Sequence, residues 1–222
     1  MISCVMDLFK SKYNYPEDVV VYNDRLELKV KRRTIYYNKI LSLKIHSSET
    51  KTSINLVPMG SEVQSELTIY LNKDKVTIRL KPYQKGLIFK NKKGEKKFES
   101  ILYFYDFLEN QTFTHRWNRM VKILKKLPKN ALLEYQDYRF LTNKEITKSG
   151  SYVAEYDPKK FNIYREYKKI IFEENTKGFK SFFKKKLEMD ISQDEDVFLN
   201  LLKFATGLKF KNYNYRDFKL TW

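Results

Sequence analysis

The sequence of 222 residues has little of what enzyme active sites commonly use, since it contains one cysteine and two histidines. The single cysteine, Cys4, excludes an intramolecular disulfide framework and a cysteine-rich zinc site, as is typical of proteins in a reducing compartment. His46 and His115 are interpreted as ordinary surface or capping residues. The sequence also has no glycine-rich phosphate loop, HExxH motif, nucleophile elbow or paired-cysteine zinc spacing. We therefore predict a protein that is not an enzyme and that needs no cofactor.

Long apolar runs are also missing. No stretch approaches the roughly 18 apolar residues that a transmembrane helix needs. The apolar run at residues 1–6 is too short for a signal-peptide core, and no basic residue precedes it. We expect a soluble, cytoplasmic protein, and peripheral attachment to a membrane stays open.

Positive charge and aromatic side chains are abundant. The chain has 44 Lys and Arg against 27 Asp and Glu, a net charge of +17, and it carries 17 Tyr and 16 Phe. Residues 1–127 hold +12 of this charge, and the densest stretch, residues 73–97, has ten basic residues against two acidic ones. Concentrated positive charge predicts an anionic partner. The simplest alternative is a lysine-rich surface that is only solvated.

The first part of the chain has the two-residue periodicity of β-strands. Leu26, Leu28 and Val30 alternate with charged residues, so this run is predicted to place one face on a core and the other in water. A second alternating run covers residues 41–46, and a polar segment, residues 47–52, follows it.

Two hairpins are predicted next. The stronger signal joins alternating runs at residues 67–71 and 76–80 through a short polar turn. A second pair of strands is predicted at residues 87–89 and 97–98, joined through residues 91–94. We expect roughly seven to nine short strands, the pattern of an antiparallel barrel or sandwich.

Helical periodicity follows these strands. Apolar residues between 98 and 108 keep three- and four-residue spacing, and those between 113 and 124 form a second stripe. Thr112 is predicted to cap the second helix and Pro128 to close it. The basic residues predicted on the outer face of this helix are Arg116, Arg119, Lys122 and Lys126.

The order of strands followed by one helix is repeated after residue 128. Strands are predicted at residues 132–135, 138–141, 151–154, 161–164, 169–172 and 182–191. Ser192 and Glu195 have the spacing of a capping box, and Gly207 stands where a helix would end. We predict two domains, residues 1–127 and 128–222, of a mostly β, α+β class.

Three segments carry a resemblance to a known family. A short strand and turn at residues 22–26 lead into a basic strand at residues 29–33, and a pairing strand follows at residues 40–45. Over about residues 19–126 the chain resembles bacterial pleckstrin-homology-like (PH-like) domains, and the second half is similar in the order of its elements. The resemblance implies an antiparallel split barrel closed by an amphipathic helix. It also implies a non-catalytic binding or scaffold module. The order of elements after residue 128 predicts that a small β-rich subdomain with a C-terminal helix follows the barrel.

The resemblance and the charge density together suggest an anion-binding site. In membrane-binding members of the family, basic residues of the first hairpin hold phosphates, and the matching positions here are Arg25, Lys29, Lys31, Arg32 and Arg33. The charge-dense stretch adds Lys73, Lys75, Arg79, Lys81 and Lys85. The predicted partner is a protein or an acidic membrane surface.

A nucleic acid is the alternative partner. Basic and aromatic residues interleave at residues 81–85 and 209–218, and Lys or Arg contacts to phosphate combined with rings that stack on bases would make a sequence-tolerant site. For residues 209–218 we favour the interpretation that they form a final strand with alternate rings buried.

A Mg²⁺-dependent nuclease is the second alternative. Asp157 followed by Glu166 and Lys168 has a spacing that could hold Mg²⁺ and activate water. In a chain with 32% charged residues this spacing arises easily by chance, and the parallel α/β core of that class is missing. The alternating acids of residues 190–196 resemble a calcium loop, but Glu195 stands where that loop needs glycine, so we assign them to a helix N-terminus.

Overall fold

A computed structural model describes residues 19–54, 57–79, 82–85, 92–175 and 185–216. The chain divides into two compact units, Met1–Arg116 and Trp117–Trp222. Among the described residues there are fourteen strands, all paired antiparallel, and two α-helices. The predicted class, α+β and mostly β, is confirmed. Neither described helix has both the length and the apolar character needed to cross a bilayer.

The first sheet of unit 1 has three strands in the order β1-β2-β3. These are β1 (Val19–Val21), β2 (Arg25–Leu28) and β3 (Arg33–Tyr36), and a short 3-10 helix, Tyr37–Lys39, follows. The strand predicted through Val30 is too long, because Leu28 already pairs with Arg33 and residues 29–32 form the turn between them. Val30 is 79% exposed. The alternation of apolar and charged residues continues into the turn and does not show where the chain reverses. The predicted strand is too long for this reason.

The second sheet of unit 1 is dominated by one long hairpin. Its strands are β4 (Ser42–Ile54), β5 (Val57–Tyr70), β6 (Lys75–Arg79) and β7 (Tyr83–Lys85), and both β6 and β7 pair with β5. The hairpin predicted at residues 67–80 is confirmed, since Tyr70 pairs with Lys75. The polar segment at residues 47–52, for which the sequence predicts no strand, belongs to β4. Polar residues are accommodated there by pairing with one another, and Ser65 donates to Ser47 across the two strands.

A single helix, α1 (Lys92–Leu124), follows the strands. The strand predicted at residues 97–98 is wrong because these residues are helical, and residues 87–89 lie outside the described part of the chain. The predicted break before Thr112 is also wrong. Thr112 is buried within the helix, where its hydroxyl donates to the carbonyl of Leu108 at 2.6 Å instead of capping a new helix.

Arg116 is only 1% exposed, so its predicted place on the outer face of α1 is wrong. Its Nε donates to the hydroxyl of Thr112 at 2.9 Å, and its Nη2 donates to the carbonyl of Glu109 at 3.1 Å. Such acceptors offset the free-energy cost of removing a guanidinium from water. Arg119, Lys122 and Lys126 are exposed as predicted.

The core of unit 1 joins the strands to the helix. Leu26, Leu43 and Ile69 from the strands belong to the same buried cluster as Phe104 and Leu108 from α1. The three- and four-residue spacing in the first part of α1 therefore serves to cover the sheets, as the periodicity predicted.

Unit 2 contains two sheets and the second helix. The first sheet, in the order β11-β10-β9-β8, is formed by β8 (Ala131–Tyr135), β9 (Tyr138–Leu141), β10 (Glu145–Lys148) and β11 (Ser151–Glu155). The second sheet, in chain order, has β12 (Phe161–Glu166), β13 (Lys169–Glu174) and β14 (Lys186–Asp190), and α2 (Glu195–Thr206) follows. Strand β10 was not predicted from the sequence.

The ends of α2 are built differently from each other. Gly207 ends the helix as predicted, in a left-handed conformation with its N–H bonded to the carbonyl of Lys203. The predicted capping box is wrong. Asp194 occupies the N-cap position without a side-chain capping bond, and Ser192 donates instead to Asp190 at 3.1 Å. Glu195, which a capping box would turn back to the backbone, binds Arg165 and Lys168.

Candidate anion-binding surface

Two turns of unit 1 lie against each other and bring predicted basic residues together. Residues 29–32 connect β2 to β3, and residues 71–74 connect β5 to β6. Lys31 Nζ donates to the carbonyl of Thr77 at 2.8 Å, and Arg33 Nη1 donates to Asp74 Oδ2 at 2.5 Å. These two contacts join the first sheet to the second. We call this region the basic surface, and its cations are Lys29, Lys31, Arg32, Arg33, Lys73 and Lys75.

Local hydrogen bonds close both turns. In the β2–β3 turn, the N–H of Arg32 donates to the carbonyl of Lys29 at 3.3 Å, and Arg32 adopts a left-handed conformation with φ 47°. In the β5–β6 turn, the N–H of Leu71 donates to the carbonyl of Asp74 at 2.8 Å, and the Asp74 carboxylate accepts the N–H of Lys75 at 2.5 Å. These bonds satisfy three backbone N–H groups inside the turns, and the side chains of Lys29, Arg32, Lys73 and Lys75 are exposed.

The charge of the basic surface is strongly unbalanced. Six cations surround one carboxylate, Asp74, within residues 29–33 and 71–77, a net charge of +5. The side chains of Lys29, Arg32, Lys73 and Lys75 are exposed, and none of them forms a hydrogen bond or ion pair with another described residue. The hydrogen bond from Arg33, together with that from the Lys75 N–H, lowers the pKa of the Asp74 carboxyl. Asp74 is therefore an anion under physiological conditions, and most of the positive charge around it is not neutralised.

Val30 adds an apolar side chain to the tip of this surface. It lies between Lys29 and Lys31 in the β2–β3 turn and is 79% exposed. A single exposed valine is unremarkable on an ordinary surface. Here the other three residues of the turn, Lys29, Lys31 and Arg32, are all cations.

Two other predicted residues, Arg25 and Arg79, are paired away from the basic surface. Arg25, at the opposite end of β2, is paired with Asp24 at 3.2 Å and Glu27 at 3.3 Å. Arg79, at the far end of β6, donates to Glu66 at 2.6 Å, and this bond lowers the pKa of the Glu66 carboxyl. Lys81 and the side chain of Lys85 lie outside the described part of the structure.

The aromatic tail of unit 2 is engaged within the chain. Residues 208–216 contain no strand, so the predicted final strand is wrong over this range, and residues 217–218 lie outside the described structure. Tyr213 and Tyr215 are half-buried and meet edge to face at 4.9 Å. Arg165 Cζ lies 5.6 Å from the centre of the Tyr213 ring, and Lys203 Nζ lies 4.9 Å from that of Tyr215. Cations of the same chain thus occupy positions that stacked bases would need.

The carboxylates considered for a nuclease lie at opposite ends of one strand. Asp157 precedes β12 and Glu166 ends it, so a strand of six residues, on the order of 17 Å in length, lies between them. Asp157 accepts the N–H of Lys159 at 3.1 Å, and Lys168 donates to Glu195. Within the described ranges, no three His, Cys, Asp or Glu side chains are grouped to bind one metal ion.

A groove on the first sheet of unit 2 has a different chemistry. It is lined by Glu134, Asp137, Arg139, Thr147, Ser149 and Gly150. Arg139 donates twice to Glu134, at 3.0 and 2.8 Å, and Lys148 pairs with Asp137 at 3.5 Å. Its charges are therefore paired within the chain, whereas most of those on the basic surface are not.

No protein-family model matches the chain, and neither a curated protein nor a solved structure matches it.

Proposed function

We propose that the chain is a non-enzymatic binding module that docks on an acidic membrane surface through the basic surface of unit 1. The observation that supports this most directly is the position of Val30, which is exposed among cations on two turns that contact each other. An acidic protein partner would also be attracted by the charge, but it would give no reason for an apolar residue at the tip of the turn.

We further propose that residues 19–126 form a PH-like split barrel closed by α1. Antiparallel hairpins followed by a helix with one apolar face are the elements that such a barrel needs. The shared cluster that joins Leu26 and Ile69 to Phe104 supports this arrangement, because it places the helix on the strands of unit 1.

The energetics of this surface favour cooperation among its cations. A basic side chain near an anionic leaflet contributes about 1 kcal/mol, and the effect falls off within a Debye length. Lys29, Arg32, Lys73 and Lys75 can contribute without breaking an ion pair within the described structure. Insertion of Val30 among the headgroups would add a smaller apolar term. The expected result is reversible, salt-sensitive binding and not insertion across the bilayer.

Flotation with vesicles tests this function. The variant Lys29→Glu/Arg32→Glu/Lys73→Glu reverses three exposed cations whose side chains form no hydrogen bond or ion pair in the described structure. Its control is Lys122→Glu/Lys125→Glu/Lys126→Glu, which makes the same change of charge at exposed residues near the end of α1. We expect the wild-type protein and the control to float with vesicles that contain phosphatidylserine, and the first variant to lose most of its binding.

Three results would contradict the proposal. One is a wild-type protein that does not bind phosphatidylserine vesicles at low salt, which would favour an acidic protein as the partner. Another is equal binding by the two variants, which would show that only the total charge matters. A third is unchanged binding by Val30→Ser, because the proposal places this residue in the interface. Circular dichroism of each variant checks that the fold is intact.

The nucleic-acid alternative stays a prediction. The basic surface could contact phosphates of any polyanion, but the contacts of Tyr213 and Tyr215 with Arg165 and Lys203 do not favour a base-stacking site in the tail.

A further inference from the structure

We propose that Asp74 is an internal competitor of the basic surface, so that the protein needs a larger share of anionic lipid in a membrane than the same surface would need without this carboxylate. This inference rests on the function proposed above and concerns how the same surface is regulated. It assigns a role to the one carboxylate in a cluster that otherwise consists of cations.

Both oxygens of Asp74 are engaged inside the basic surface. Oδ2 accepts Arg33 Nη1 at 2.5 Å, and Oδ1 accepts the N–H of Lys75 at 2.5 Å. The side chains of Arg33 and Asp74 are nevertheless 35% and 50% exposed. A lipid phosphate can therefore approach the same guanidinium, but it finds a carboxylate already bound there.

Replacing the Asp74 carboxylate on Arg33 by a single lipid headgroup contributes little binding free energy. A phosphodiester that binds this guanidinium replaces one anion by another of equal charge, and it is also repelled by the carboxylate it displaces. The contacts with Lys29, Arg32 and Lys73 carry no such penalty. Asp74 therefore lowers the affinity of the whole surface, so that a larger share of anionic lipid is needed to reach the same degree of binding.

Asp74 also helps to hold the two turns together, so charge and structure must be separated in the test. Asparagine has nearly the same shape and keeps an oxygen that can accept from Arg33 or from the Lys75 N–H. The hydrogen bond from Lys31 to the carbonyl of Thr77 involves backbone and is not changed. The variant Asp74→Asn therefore removes the negative charge, raising the net charge of the basic surface from +5 to +6, while the turns keep most of their contacts.

The matched control is Asp24→Asn. Asp24 is another exposed carboxylate of unit 1, and it is paired with an arginine, Arg25, at 3.2 Å. It precedes β2, whereas the basic surface follows that strand, so about 10 Å of strand separates the two sites. The control makes the same change of charge, but roughly one Debye length away.

The experiment compares the wild-type protein, Asp74→Asn and Asp24→Asn on phosphatidylcholine vesicles with a rising share of phosphatidylserine. We expect Asp74→Asn to reach half-maximal binding at a lower share and to bind about fivefold more tightly at a fixed share, as one additional unit of charge near the surface would give. Asp24→Asn should follow the wild-type curve.

Each other outcome has a distinct meaning. If Asp74→Asn binds like the wild type or more weakly, while its circular dichroism spectrum is unchanged, Asp74 is not a competitor and this inference is wrong. If Asp24→Asn tightens binding equally, the effect belongs to total charge and the inference is also wrong. If none of the three proteins binds at any share of phosphatidylserine, the proposed function itself fails.

Discussion

Glu195 accepts two hydrogen bonds from the guanidinium of Arg165, at 2.9 Å from Nε and 2.5 Å from Nη2. The carboxylate is at the first position of α2 and is buried, and its other oxygen binds Lys168. Arg165 is in β12 and Lys168 is in the turn that follows it. One carboxylate therefore ties the start of the helix to the second sheet of unit 2.

Loss of this carboxylate should destabilise unit 2. In Glu195→Gln the two cations lose their shared anion in a largely desolvated site, and we expect a fall of about 3 kcal/mol in the free energy of unfolding. Urea unfolding followed by circular dichroism measures this change. The control is Glu134→Gln, which breaks the more exposed pair with Arg139 and should cost less than about 1 kcal/mol. Equal effects of the two substitutions would contradict the structural role of Glu195.

Arg116 provides a test of the unbroken helix. If α1 continues through Thr112 with Arg116 buried, then Arg116→Ala leaves a cavity and removes the donor to two acceptors. We expect a loss of about 2–4 kcal/mol in the free energy of unfolding. Arg119→Ala, at an exposed position three residues later, should change it by no more than about 0.5 kcal/mol. A small effect at both positions would contradict the burial of Arg116 and would favour the broken helix that the sequence predicts.

Glu188 should titrate far below other glutamates. Hydrogen bonds from Lys169 and then Lys186 lower the pKa of its carboxyl to about 2 from the usual 4.5. Because the unfolded chain takes up this proton first, the contribution of Glu188 to stability is complete above about pH 4.5 and is lost as the pH falls toward 2. NMR titration of the carboxyl carbon measures the midpoint, and Lys169→Met should raise it. A wild-type midpoint near 4.5 would show that the lysine contacts do not persist in solution.

Gly207 should resist replacement for a purely conformational reason. Its φ is +77°, and a Cβ atom placed there would meet nothing within 4 Å. Gly207→Ala should therefore lower the free energy of unfolding by about 1 kcal/mol through backbone strain alone. Gly207→Asn should cost less, since asparagine tolerates the left-handed region. An alanine variant as stable as the wild type would mean that the helix ends elsewhere.

Local features of this fold could be predicted from the sequence because local patterns determine them. The hairpin at residues 67–80 has apolar alternation on both sides of a polar turn, and those signals specify a reversal at one place. Gly207 likewise marks the end of α2 because few other residues adopt its conformation. By contrast, Thr112 has two ways to satisfy its hydroxyl, as a cap or by bonding to the preceding turn, and the sequence does not choose between them.

The arrangement of the candidate site could be predicted only in part. The basic residues were found from charge density and resemblance, but which of them meet depends on contacts between distant segments. Arg33 and Asp74 are 41 positions apart, and Lys31 and Thr77 are 46 apart. No periodicity encodes such a contact. The sequence does not show which strand ends come together when two sheets pack. For this reason it places Arg25 and Arg79 in the site and does not identify Asp74 as part of it.

The left-handed backbone of Arg32 means that stability and binding should respond in opposite directions at this residue. An arginine at φ 47° strains the turn, and glycine would relieve that strain. Arg32→Gly is therefore expected to make the protein harder to unfold, by a few tenths to about 1 kcal/mol, while it weakens attachment to acidic vesicles. If the proposed function is correct, Arg32 gives up part of the stability of the first hairpin for one more cation at its tip.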